Sequence, residues 1–189
     1  MRAVPVSLLL LVALLVPGVS AAQSAGFSAE AQDKLMGLLR AYEHQPTAEE
    51  FKALGDGVRD ALIAVAQDGD EVALVRGRAV FALAFYPDAA TREAIEGLLD
   101  HPGLSDLILS RALDALARAF PDSSVSRIAP YLDDDRTAMR EAAARALGTL
   151  GSPAALRALR RRVDRERVDA VRTVLLDEIA RLEGSAAAE

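Results

Sequence analysis

The chain has 189 residues, 51% of them hydrophobic but only 4% aromatic, with a formal net charge of −6 and no cysteine. This composition supplies a core of modest aliphatic side chains and rules out a disulfide framework. The acidic balance argues for solubility and against general affinity for nucleic acid.

Residues 1–22 read as a secretory signal peptide. Arg2 is the basic start, Ser7 to Val16 (SLLLLVALLV) the apolar run, and Pro17-Gly18 the break, with small residues in VSAAQS offering cleavage after Ala21 or Ala22. The apolar run is shorter than the roughly 20 residues a spanning helix needs. An exported protein, periplasmic or secreted, is therefore expected. No later segment is long and apolar enough to span a bilayer, and the absence of cysteine excludes a lipid anchor on a terminal cysteine.

Residues 23–54 predict N-terminal capping helices. Ser28 can cap a helix through about Tyr42, with Leu35, Leu38, Leu39 and Tyr42 on one face. Thr47-Ala-Glu-Glu50 is a capping-box pattern that starts a short helix carrying Phe51 and Leu54.

Residues 55–183 repeat. Leu83, Leu116, Leu147 and Ile179 are 33, 31 and 32 residues apart, and four positions before them stand Ala79, Ala112, Ala143 and Leu175. Ala82, Ala115 and Ala146 come one position before the first three. Ile95, Ile128 and Leu159 come twelve positions after, and Leu99, Leu132 and Val163 sixteen after. Each unit predicts two helices. The first helices are expected near Glu71–Phe85, Ser105–Ala119, Arg136–Leu150 and Val168–Leu182. The second are expected near Gly57–Gln67, Ala89–Leu99, Ser123–Leu132 and Pro153–Val163. Asp88, Asp122 and Ser152 stand where caps are needed. In the first helices alanine occupies the face that must be buried, which suits close approach of stacked neighbours. The tail from Gly184, residues 184–189, is expected to be disordered.

The stretches EVALVRGRAVFALAFYPDAATREAIEGLLD and TAMREAAARALGTLGSPAALRALRRRVD resemble HEAT-like repeats, of the short type named after phycobilisome lyases. The resemblance covers about Gly55 to Glu183. It implies an all-α, right-handed α-solenoid of about four HEAT-like helix pairs with an atypical N-terminal helical cap. It carries no bilin-site motif and little information about activity. The family's Asp–Arg pairs map onto Asp68/Arg76, Asp133/Arg140 and Asp164/Arg172, expected as a structural ladder between repeats, while Leu109 breaks the pattern in the second unit. The resemblance also places the second helices on the concave side, the usual binding surface.

Motifs that carry chemistry are sparse. His44 and His101 are 57 residues apart beside prolines, without partners at metal-ligand or base-catalyst spacing. Asp68–Glu71 (DGDE) and Asp133–Asp135 (DDD) lack the glycine and distal glutamate of calcium loops. No nucleotide loop, metalloprotease helix or serine-hydrolase elbow is present. The expectation is no catalytic, cofactor-binding or metal-binding residue, and an interaction scaffold or adaptor with a protein partner. An accessory subunit of an envelope enzyme and a binder of polyanionic surfaces are the alternatives, and oligomeric state is left open. Charge is uneven: Gln23 to Asp100 carries 7 basic and 14 acidic residues, Arg136 to Arg172 carries 10 basic and 4 acidic. Arg157, Arg160, Arg161 and Arg165 share one helical side and form the candidate partner-binding stripe.

Overall fold

The computed structural model describes residues 27–186; the expected signal peptide, residues 1–22, lies outside them. Two capping helices come first, α1 (Ala29–Arg40) and α2 (Ala48–Lys52). Then follow α3 (Val58–Gln67), α4 (Ala73–Leu83), α5 (Ala89–Asp100), α6 (Asp106–Ala119) and α7 (Val125–Ile128), which continues as a 3-10 helix over Ala129–Asp133. The chain closes with α8 (Thr137–Leu150), α9 (Pro153–Val163) and α10 (Asp169–Ala186), and no strand occurs among the described residues.

The helix starts follow from their caps. The Ser28 hydroxyl accepts from the Ala31 N–H, the Asp88 carboxylate from Thr91 and the Ser152 hydroxyl from Ala155. Thr47 and Glu50 close the full capping box. Gly151 ends α8 at φ +65°, a left-handed conformation that costs glycine nothing. Asp122, expected to cap, does not: Ser124 precedes α7, and its buried hydroxyl donates back to the Phe120 carbonyl at 2.7 Å. The helix expected over Ser123–Leu132 is divided because Pro130 has no N–H to continue the α-helical bonding, and the last residues tighten to 3-10. At the other end α10 extends through Ala186, so Gly184, Ser185 and Ala186, assigned above to a disordered tail, are helical. Alanine favours the helix there, and the Ser185 hydroxyl is satisfied by the Arg181 carbonyl at 3.1 Å.

Packing is by neighbours. α4, α6, α8 and α10 stack directly on one another along the row. The contact faces are alanine: Ala79, Ala82, Ala112, Ala115 and Ala143 are fully buried and Ala146 is 2% exposed. Methyl groups let these backbones approach closely, and leucines such as Leu83, Leu116 and Leu147 fill the space between them. Each second helix packs chiefly on the first helix that follows it: α3 on α4, α5 on α6, the α7/3-10 segment on α8, and α9 on α10. The structural pairs are thus offset by one helix from those read in the sequence. The second helices touch one another little. The first helices thus form one closely packed row of small residues, and the second helices lie beside it. α9 and its arginines belong to that second row.

One apolar core runs the length of the stack, from Leu35 and Leu39 of α1 to Leu175 and Ile179 of α10. The last helix is its polar end. Leu176 occupies the register of the buried Leu113 and Val80 yet is 50% exposed, since no further helix among the described residues covers it.

Candidate functional site

Arg157, Arg160 and Arg161 are exposed on α9, and Arg165 is exposed in the turn that follows it. They are not equivalent. Arg160 donates to the Glu183 carboxylate of α10 at 2.7 Å, and Arg165 lies 3.8 Å from Asp133 while its Nε donates to the Arg161 carbonyl. Among the described residues, the side chains of Arg157 and Arg161 make no hydrogen bond or ion pair.

The arginine between them, Arg162, has the opposite fate. It points inward and is 9% exposed; its Nε donates to the Leu132 carbonyl of the preceding unit at 2.5 Å. Its Nη2 donates to Glu166 at 2.6 Å, and Asp133 stands 3.4 Å away. Glu166 also accepts from Arg140 Nε at 2.9 Å and from the backbone N–H groups of Arg167 and Val168. Burial pushes the Glu166 carboxyl up, but the Arg140 hydrogen bond, the Val168 N–H and the two guanidinium charges outweigh it. The group sits below the usual carboxylate range. Arg140 completes the cluster by donating to the carbonyls of Asp134 and Asp135. Buried charge is retained here because every partner is present.

The Asp–Arg ladder mapped from the resemblance is replaced by other contacts. Arg76 donates to the Ala66 carbonyl rather than to Asp68, and Arg140 pairs with Glu166 rather than Asp133. No ion pair joins Asp164 to Arg172 among the described residues; Arg172 has the register of Arg140, but no Glu166 equivalent faces it there. The rungs that do recur are on the second helices. Tyr131 and Arg162 share one register position, and each reaches the equivalent carbonyl of the unit before, Leu99 at 3.1 Å and Leu132 at 2.5 Å. Their unlike side chains hid this rung from a reading by residue type. Arg127 adds a bond to the Glu96 carbonyl and an ion pair with Asp100.

The histidines are peripheral. His44 Nε2 lies 2.7 Å from Glu50, and His101 Nδ1 lies 2.9 Å from the Pro102 carbonyl, both exposed. In DGDE and DDD the acids serve the turns, Asp68 accepting from the Asp70 N–H and Asp134 from the Arg136 N–H. No group of three or more His, Cys, Asp or Glu among the described residues is placed to hold a metal ion, and no helix there is long and apolar enough to cross a membrane.

Sequence reading did not point to one concavity beside the first helices. A cavity of about 330 Å³ opens between the N-terminal cap and α4 and α6. Leu38, Phe51, Leu74, Phe81 and Leu107 line it, with Arg78 and Arg111. Gly77 shapes its wall: a Cβ there would stand 3.4 Å from Arg111 Cγ and 3.7 Å from Leu107 Cγ.

Helix pairs stacked in one row, with rungs between consecutive units, define an α-solenoid. Residues 103–180, from just before α6 into the last turns of α10, match the family model for HEAT repeats, and the repeats of that segment are HEAT-like. No curated protein matches the chain.

Proposed function

We propose that the protein is an exported, non-catalytic scaffold or adaptor that docks a protein partner, with the exposed arginines of α9 as one contact surface. One observation carries this reading. Within a single helix Arg162 takes the structural role, while Arg157 and Arg161 face solvent without a partner among the described residues. Arginines that neither pack nor pair in the stack are available for an acidic surface, and their planar heads suit carboxylates. HEAT repeats serve commonly as interaction scaffolds and are generally non-catalytic, which supports the same reading. Export rests on the leader pattern in residues 1–22.

A polyanionic surface is the less favoured target, because Glu183 and Asp133 already draw charge from Arg160 and Arg165. The test is affinity capture from the envelope fraction with the wild type and with Arg157, Arg160 and Arg161 all changed to Ser. The variant should keep its fold and lose captured partner, mainly through slower association that salt equalises. Unchanged capture would remove the stripe from the docking surface.

A further inference from the structure

The cavity between the N-terminal cap and α4 and α6 has a chemistry of its own, independent of the α9 stripe. In register, Leu74 and Arg78 of α4 correspond to Leu107 and Arg111 of α6, so the same Leu-x-x-x-Arg pair appears twice on adjacent stacked helices. The third and fourth units carry Ala138 with Ala142 and Ala170 with Val174 instead. Both copies of the pair line the cavity. Leu74 and Leu107 remain 49% and 38% exposed, so their apolar surface is on offer rather than consumed in the core.

The two guanidiniums are presented differently. Arg78 is half-buried and held: its Nη1 donates to the Leu39 carbonyl at 2.9 Å and the Ala41 carbonyl at 2.5 Å, which fixes the head and leaves Nε and Nη2 without a partner among the described residues. Arg111 makes no side-chain hydrogen bond or ion pair among the described residues, and its stem lies over Gly77. The lining acid, Glu43, is exposed at the mouth, and nearby Glu50 is already taken by Thr47 and His44. The cavity therefore combines an apolar wall with a modest surplus of positive charge. A phosphate monoester, near −2, would face Glu43 with excess charge, whereas a single carboxylate matches both the surplus and the fork geometry of arginine. The volume lies at the lower end of the range of roughly 300–1,000 Å³ typical of small-ligand sites.

We propose that this cavity binds an apolar group bearing one carboxylate, with the carboxylate on Arg111 and Arg78 and the apolar part against Leu74, Phe81 and Leu107. Such a ligand could come from a free acyl acid or from the C-terminus of a peptide ending in apolar residues. The experiment titrates the protein with octanoate and with N-acetyl-Leu-Phe, each beside its uncharged amide, and follows backbone amide NMR shifts of α4 and α6. At least one of the two acids should shift these amides saturably and bind about tenfold or more tighter than its amide, since a charge-assisted pair is lost. The acid that binds identifies the source. Arg111→Gln, at an exposed position, should weaken that acid about tenfold without moving the urea midpoint, and Gly77→Leu should block the cavity. The proposal is overturned if neither acid gives a saturable shift, if acid and amide bind alike, or if Arg111→Gln leaves acid binding unchanged.

Discussion

Glu166 is the residue on which the junction between the third and fourth units turns. Its side chain is 2% exposed and accepts from two arginines whose side chains are 10% and 11% exposed. Replacing it by Gln leaves both guanidiniums buried against a neutral amide, a loss of about 3 kcal/mol or more. Because its folded pKa is lowered from 4.5, its stabilisation is complete above that value and is lost as pH falls through the folded pKa. Urea midpoints measured across the acid range should thus fall steeply in the wild type below about pH 4.5, and less steeply in Glu166→Gln. Parallel curves would show that Glu166 titrates as an ordinary exposed acid. The sequence displayed Arg162 and Glu166 as part of a charge run, RALRRRVDRER. Periodicity could separate the buried arginine from the five exposed ones only through its place next to Val163, and a charged residue on the apolar edge reads as solvated until its partners are seen.

At the scale of the element, the sequence predicted most helix bodies to within two or three residues, because periodic leucines and strong caps act locally. The departures are where tertiary contacts or a missing N–H decide. Pro130 divides its helix, and Ser124 turns its hydroxyl backward, so Asp122 is left without the capping role that Asp88 performs one unit earlier. The contrast is measurable. Asp88→Ala should cost about 0.5–2 kcal/mol, since it removes both the Thr91 cap and the contact with Arg59. Asp122→Ala should cost less than about 0.5 kcal/mol by the same denaturant titration. Equal losses would mean that Asp122 is engaged in a way the helix geometry does not provide.

At the scale of the whole molecule, the repeat made the solenoid legible, since its register aligns residues that touch along the row. Which helices pair was not legible: pairing depends on how closely backbones approach, and a periodic pattern is silent on that. The cavity escaped for a related reason. Its wall joins the aperiodic cap to two repeat units, and no single motif spans that junction. The proposed export has a simple consequence: exported protein should begin at Ala22 or Gln23, and an intact mass that retains Met1 would contradict the leader.

The central structural claim is that each unit is held by its neighbours across a row of small residues, and Ala143, fully buried on α8 between α6 and α10, tests it most directly. Native-state hydrogen exchange on Ala143→Leu is the measurement. Overpacking of about 1–3 kcal/mol should lower protection in α8 and in the helices stacked on it, α6 and α10, while α1 to α3 keep theirs. Unchanged protection in α8, or losses as large in α1 to α3 as in α8, would contradict a row of neighbour-held units.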